Sequence, residues 1–175
     1  VTTYFYKDTE TILATKDEIV KQIPPLNKKF LSYHAFAQAH IEDLFSKEKL
    51  KKADKKKVFT LETTYFENTG NSTFKVHKLP FMTQISSTKA IFTDDFKDIL
   101  LLGNDSEIST QLGRQDASHG IFLLNNGQGS FNYTTQHNVD IKGASRSITP
   151  IKIKDSLFYI IGRNNESPLF LRKEN

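Results

Sequence analysis

The spacing of apolar and polar residues divides the chain into a helical stretch and a longer stretch of strands. Residues 15–57 carry apolar side chains at helical intervals, whereas most of the remaining chain alternates or forms short apolar runs. Thr15 and Glu18 form a capping box, which predicts a helix start, and Pro24-Pro25 predicts its end. A second helix is predicted after Ser32, and its apolar face is formed by Phe36, Ala37, Ile41 and Leu44.

Two predicted hairpins share one sequence template. Each has a strand, the pattern N-x-G-x-x-x-F and a return strand, within residues 58–77 and 120–133. The glycine allows positive φ in the turn, and the aromatic residue is expected to begin the return strand facing the core. Phe131 follows Phe74 by 57 residues, and the other matched pairs are Asn68 with Asn125 and Gly70 with Gly127.

A second repeated pattern has nearly the same period. Residues 89–95 lead into the apolar run 99–104, and residues 151–155 lead into the apolar run 157–164. Each is a strand, an acidic tight turn and a very apolar strand that ends in Gly and Asn. An apolar strand followed by a half-polar hairpin, repeated every 57 to 60 residues, predicts four-stranded sheets stacked as β-propeller blades.

The predicted fold is therefore mainly β: about three antiparallel four-stranded propeller-type blades in an incomplete ring, with an inserted pair of α-helices. Residues 1–14 are assigned to a truncated blade, 15–57 to the helical insertion, 58–88 to the rest of that blade, 89–146 to a full blade and 147–175 to the C-terminal blade. Propellers usually close with four to eight blades, so 175 residues predict part of a longer protein. Self-association through the open blade edges is a further expectation.

Two segments carry a resemblance to a known family. Residues 99–131, which contain Gly113-Arg-Gln-Asp-Ala-Ser-His-Gly120, resemble the terminal repeats of bacterial VCBS/FG-GAP repeat proteins of the Bacteroidetes type, related to the ASPIC/UnbV and cartilage acidic protein group. Residues 23–45 are similar to the helical insertion of the same proteins. The resemblance covers about residues 17–165, with Gln115 in place of the family's aromatic residue. It implies a propeller, an extracytoplasmic location (secreted, periplasmic or outer-surface) and a binding or adhesion role.

The positive charge of the chain is local. The net charge is +4, yet Lys47–Lys57 holds seven lysines against Glu48 and Asp54, so the rest of the chain is close to neutral. This run is predicted to be the charged tail of the second helix or a short third helix. It lacks the arginine and aromatic residues of a usual nucleic-acid interface, so no nucleic acid is expected as a partner. Without cysteine there is no disulfide, and no apolar run is long enough to predict a membrane span.

The densest polar cluster supplies the candidate site. The candidate ligand-binding residues are Arg114, Asp116, Ser118 and His119. A purely structural loop would use Asp116 and Ser118 to cap backbone amides, and an enzyme would use Asp116 as an acid or base. No catalytic residue is assigned.

No cofactor or metal is expected. The family's calcium loop would fall at Asp94, Asp95 and Asp98, but it is degenerate, with no glycine and with Lys97 in its middle. Calcium therefore belongs to the parent family rather than to this stretch of chain.

Together these features predict a non-catalytic extracytoplasmic or cell-surface interaction module with a glycan or protein ligand. One alternative is a part of a polysaccharide-processing enzyme. A second alternative is nucleic-acid binding through Lys47–Lys57.

Overall fold

The computed structural model describes residues 1–109, 112–135 and 139–172. It is mainly β, and its sheets are antiparallel, which confirms the coarse fold class. The chain folds as two compact units, Val1–Phe59 and Thr60–Asn175.

The first unit, all of whose residues the structure describes, joins one hairpin to five short helices. The strands are β1 (Thr3–Tyr6) and β2 (Thr9–Ile12); the helices are α1 (Lys16–Gln22), α2 (Leu26–Lys29), α3 (Tyr33–Ala37), α4 (Ile41–Leu44) and α5 (Lys47–Lys52). The apolar sides of β2 and of α1 to α4, with the turns between them, form one core, the first cluster, made of Ile12, Ile19, Leu26, Phe30, Phe36, Ala39 and Leu44. Burial in that cluster stabilises α1 to α4, because helices of one or two turns are unstable alone; α5 has no buried residue.

The capping box is confirmed. The Thr15 hydroxyl accepts from the Glu18 amide at 3.4 Å, the Glu18 carboxylate accepts from the Thr15 amide at 2.8 Å, and the helix ends at Gln22, before the two prolines. The predicted pair of inserted α-helices is wrong in number: this stretch forms five short helices, and the second predicted helix breaks between Ala37 and Ile41. His40 is extended there, and its amide donates to the Asp43 carboxylate at 2.8 Å instead of continuing the helix.

The second unit contains three antiparallel sheets within its described residues. The strands are β3 (Thr64–Gly70), β4 (Thr73–Lys78), β5 (Thr88–Thr93), β6 (Ile99–Gly103), β7 (Ile121–Asn125), β8 (Phe131–Thr134), β9 (Ser145–Ile153), β10 (Ser156–Arg163) and β11 (Leu169–Arg172), with a 3-10 helix at Phe81–Gln84. β3 pairs with β4, β5 to β8 form a four-stranded meander, and β9 to β11 form a three-stranded one. The predicted union of residues 1–14 with 58–88 in one blade stays a prediction; the structure pairs β1 with β2.

The two central strands of the four-stranded sheet, β6 and β7, are buried on both faces. One face joins the β9–β11 sheet in the second cluster: Ala90, Leu100, Leu102, Ile141 and Ile161, with Phe92, Phe122, Val139, Ile148, Leu169 and Leu171 packed against them. The opposite face forms the third cluster: Leu101, Ile121 and Leu123, with Leu79, Ile85, Ile99 and Phe131 around them. Two-sided burial explains why β6 is a continuous apolar run.

Both predicted hairpins are present with the same turn chemistry. The amide of Gly70 donates to the Asn68 side chain at 2.9 Å, and the amide of Gly127 donates to the Asn125 side chain at the same distance. Both glycines have positive φ, at 87° and 75°. The repeated N-x-G pattern therefore predicts the same local turn at both places, as observed.

Two details of the first hairpin differ from prediction. The strand begins at Thr64 rather than at Val58, because its partner β4 ends at Lys78. The Gln84 side chain forms hydrogen bonds with the backbone of Thr63 instead: it accepts from the Thr63 amide at 2.8 Å and donates to the Thr63 carbonyl at 2.9 Å. Phe74 does not face a core: 60% of it is exposed.

In the described part of the chain, no helix is long and apolar enough to cross a bilayer.

Candidate functional site

The polar edge of the second unit is organised by one buried asparagine. Asn104 follows β6 and is only 3% exposed. Its side-chain nitrogen donates to the carbonyls of Ser118 at 2.7 Å and Gly143 at 3.1 Å. Its side-chain oxygen accepts from the Ser118 amide at 3.1 Å and from the Ser86 hydroxyl at 2.8 Å. One side chain thus ties together three segments that are far apart in sequence.

The backbone at this point tolerates few other residues. A Cβ at Gly103 would lie 1.8 Å from the carbonyl oxygen of Ser87, so only glycine fits. Asn104 itself has φ of 76°, a left-handed conformation that asparagine adopts more readily than most residues. The backbone geometry at the end of the apolar strand therefore requires glycine at position 103 and favours asparagine at position 104.

Asp105 adds an ionic layer beside the asparagine. Its carboxylate lies 3.0 Å from the Lys89 ammonium and 3.6 Å from the Arg146 guanidinium. The hydrogen bond from Lys89, together with the Glu107 amide and the two positive charges, lowers the pKa of Asp105 from its usual value. Arg146 also donates to the Asn104 carbonyl at 2.8 Å, which links the ion pairs of Asp105 to the Asn104 network.

The predicted residues Arg114 and Asp116 lie together on the surface. Their side chains form an ion pair of 3.4 Å, and 70% and 58% of the two side chains are exposed. Between them, Gln115 exchanges two backbone hydrogen bonds with Asp105, at 2.7 and 2.8 Å. This short bridge holds the ion pair next to the buried network, where both side chains can reach a ligand.

Ser118 lies below the surface rather than on it. It is 5% exposed, both its amide and its carbonyl are bonded to Asn104, and its hydroxyl accepts from the Gly120 amide at 3.3 Å. The structure thus places Ser118 in the loop scaffold, as the structural alternative expects, and a ligand would reach its neighbours first.

His119 belongs to a second exposed polar group. Its Nδ1 lies 2.8 Å from the Asp140 carboxylate, and the Lys142 ammonium lies 3.5 Å from the same carboxylate. The His119 carbonyl accepts from the Ile141 amide at 2.8 Å, which brings this segment alongside. All three side chains are more than half exposed.

A third loop completes the edge. Arg163 lies 2.6 Å from the Glu166 carboxylate and donates to the carbonyls of Ser167 and Lys142. The Asn165 side chain donates to Glu107 at 2.7 Å, so this loop is bonded to the one that follows Asn104. We use "polar edge" for the described loop residues 104–109, 112–120, 139–146 and 163–167.

Sequence reasoning missed several residues of the polar edge. These are Asn104, Asp105, Asp140, Lys142, Arg146 and Arg163. The Gly-Asn ending of the apolar strand was a visible signal for Asn104, because it recurs near Asn164. Asp140 and Lys142 had no local signal, since they meet His119 only after the chain has crossed β7 and β8.

The polar edge presents charges of both signs. The cations Arg114 and Lys142 alternate with the carboxylates of Asp116 and Asp140, and each of these carboxylates lies within 3.5 Å of a basic group. Paired charges at an exposed edge offer many hydrogen-bonding groups and little net field. Such a surface suits a polar ligand of low net charge better than a polyanion.

The degenerate calcium loop uses its carboxylates on backbone amides. Asp94 accepts from the amides of Phe96 and Asp98, each at 3.0 Å, and Asp98 accepts from the Asn125 amide at 2.7 Å. Among the described residues, no group of three or more His, Asp or Glu side chains is placed to hold a metal ion. The absence of a cofactor stays a prediction.

The lysine run, Lys47–Lys57, lies in the first unit. Its first half is α5, its second half is exposed and has no regular secondary structure, and an ion pair of 3.8 Å joins Lys56 to Asp54.

Comparison of the chain with protein-family models, with curated proteins and with solved structures finds no match in any of the three.

Proposed function

We propose that the chain is a non-catalytic interaction module that recognises a polar ligand, a glycan or a protein surface, through the polar edge. The observation that supports this is the buried Asn104 network. It holds the exposed ion pair Arg114–Asp116 and the group around Asp140 on loops joined to one another by hydrogen bonds. A site that is ordered before binding loses less conformational entropy when the ligand arrives.

The proposal includes propeller-type blades of the VCBS/FG-GAP kind. Three antiparallel sheets with shared apolar clusters between them are compatible with that arrangement. Equivalent hydrogen bonds support the repeat: the Asn104 amide donates to Ser87 at 3.1 Å, and the Asn164 amide donates to Ala144 at 2.8 Å. Binding residues on loops that join rigid strands are the usual design of such scaffolds.

The ligand class follows from the exposed groups. The hydroxyl groups of a glycan both donate and accept hydrogen bonds, and Arg114, Asp116, Asp140 and Lys142 present exposed donors and acceptors. The test is an array of neutral and acidic glycans, probed with the wild type and with Arg114→Ala/Asp116→Ala. We expect the variant to lose at least about tenfold in affinity, which corresponds to one charge-assisted hydrogen bond of about 1.4 kcal/mol or more.

A matched control lies at the opposite end of the same sheets. Lys152→Ala/Asp155→Ala also removes one cation and one carboxylate, both exposed, near the β9–β10 turn. It should bind like the wild type. Equal losses in the two double variants, or no binding to any glycan of the array, would overturn the assignment of the polar edge as a glycan site.

A turnover assay distinguishes the enzyme alternative from the binding proposal. If the chain processes polysaccharide, product should form from acidic or neutral polymers and should vanish in Asp116→Asn. We expect binding without product.

The extracytoplasmic location rests on the family resemblance. Fractionation of the source cells, followed by immunoblotting, should place the protein in the periplasm, the outer surface or the medium. Recovery in the cytoplasm alone would contradict it.

Nucleic-acid binding through Lys47–Lys57 remains the second alternative. Salt-sensitive binding of DNA or RNA that is lost on replacing four of these lysines would support it instead.

A further inference from the structure

One face of the β3–β4 sheet is apolar and uncovered. Phe66 and Val76 are direct cross-strand partners, and Phe74 lies two residues before Val76, so the three side chains share a face. They are 51%, 57% and 60% exposed. We call Phe66, Phe74 and Val76 the first outer face.

The same face is covered in the equivalent hairpin. Matching the Asn68 turn with the Asn125 turn places Phe66 at the position of Leu123 and Phe74 at the position of Phe131. Leu123 is fully buried in the third cluster. Phe131 is met edge-on by Tyr65, from the opposite face of β3, at 5.5 Å between ring centroids. The first outer face therefore has the pattern of a face that a neighbouring sheet covers.

A second apolar face lies at the other end of the stack. Phe158 is the cross-strand partner of Ile151, and Ile160 is the partner of Phe170, so these four side chains share a face of the β9–β11 sheet. Phe170 is 60% exposed and Ile151 is 38% exposed. We call Ile151, Phe158, Ile160 and Phe170 the second outer face.

This face also has a covered equivalent. The matching backbone bonds of Asn104 and Asn164 align Leu101 with Ile161 and Leu100 with Ile160. Leu100 is 7% exposed because it packs against the next sheet in the second cluster. Ile160 points in the equivalent direction from the last sheet. The two outer faces are thus the two halves of the kind of contact that already joins neighbouring sheets inside the chain.

From this equivalence we infer that the first outer face binds the second outer face of another copy of this chain. The contact is heterologous, since it joins different faces, and two copies that make it at both ends close into a ring. Two sets of three sheets make six, within the four to eight blades at which propellers close. This inference rests on the proposed blade arrangement.

The first experiment measures mass in solution. Sedimentation equilibrium of the wild-type chain, from about 1 to about 300 µM, should show a dimer with a micromolar or tighter dissociation constant. Phe74→Lys/Val76→Lys and Ile151→Lys/Phe170→Lys should each weaken it at least about a hundredfold, because each buries an unpaired charge in the contact. Phe96→Lys, at a 76% exposed position on neither face, is the control and should remain a dimer. Far-UV circular dichroism checks that every variant is folded.

The second experiment mixes the two double variants. Each has lost a different face, so each alone should be monomeric, while the mixture should form a dimer through the one intact pair of faces. If the mixture does not associate, the heterologous contact is wrong. Only a contact between two different faces can form when each variant supplies the face that the other has lost. A wild-type monomer at every concentration overturns the second copy as the partner and leaves the faces to further sheets or another protein.

Failure here is distinguishable from failure of the proposed function. The substituted residues lie outside the polar edge, so glycan or protein binding by a monomeric variant still tests the polar edge by itself.

Discussion

Replacing the buried Asn104 with alanine should destabilise the second unit more than substitutions of exposed loop residues do. The change leaves the buried amide and carbonyl of Ser118 without these partners, and each costs about 1 to 3 kcal/mol. Alanine at φ of 76° adds about 1 kcal/mol. Because water can enter beside the half-exposed partners, we expect a net loss of about 3 to 5 kcal/mol, a large part of the usual stability of a domain.

Asn104→Gly separates the two contributions. It removes the same hydrogen bonds but adopts the left-handed conformation freely, so it should be about 1 kcal/mol more stable than Asn104→Ala. Asn132→Ala is the control, since Asn132 is exposed on β8, and its effect should stay within about 0.5 kcal/mol.

The assay is urea unfolding followed by far-UV circular dichroism, with hydrogen exchange to locate the change. The amides around Ser86, Ser118 and Gly143 should exchange faster in Asn104→Ala, whereas the first unit should be unchanged. A loss below about 1 kcal/mol, or one equal to that of Asn132→Ala, would refute the view that Asn104 organises the polar edge.

Three further changes test local features of the fold. Gly127→Ala should cost about 1 kcal/mol in urea unfolding through φ alone, because a Cβ there meets no atom within 4 Å; no loss would contradict the turn geometry. Thr15→Ala should cost about 1 kcal/mol and lower the helical circular dichroism signal, and an unchanged signal would contradict the cap. For Asp105, the folded pKa is lower than the unfolded value of about 3.9, so its stabilisation is full above that pH and is lost as the pH falls through the folded pKa. Asp105→Asn should therefore be less stable than the wild type at pH 7, and thermal melts should show the difference shrinking below about pH 4; a constant difference would contradict it.

The polar edge shows how a surface of weak ion pairs can still be well defined. Exposed pairs such as Arg114–Asp116 contribute little stability by themselves. Their positions are set instead by backbone bonds to residues that Asn104 and Asp105 hold in place. Loss of the Asn104 side chain should thus reduce ligand binding, even though Asn104 need not contact the ligand. The reason is that the positions of Arg114 and Asp116 depend on the buried network.

Local chemistry along the chain was predictable wherever its partners are near in sequence. The Thr15 cap needs only Glu18, three residues away, and each N-x-G turn needs only its own asparagine side chain. The Gly-Asn ending of the apolar strands and the general position of the polar cluster were likewise visible. Such features depend on backbone geometry within one turn, which residue type determines strongly.

Burial and pairing between distant segments were decided by the tertiary structure. Phe74 and Phe131 occupy the same position in the same hairpin template, yet Tyr65 packs on Phe131, while Phe74 is mostly exposed. Ser118 lies inward because the side chain of Asn104, fourteen residues earlier, forms hydrogen bonds with its backbone. His119 contacts Asp140, which follows two strands later in the chain. The sequence by itself determined the turns, the caps and the apolar faces; only the packing of whole sheets decided which of those faces were covered, because burial depends on what lies opposite a residue in space.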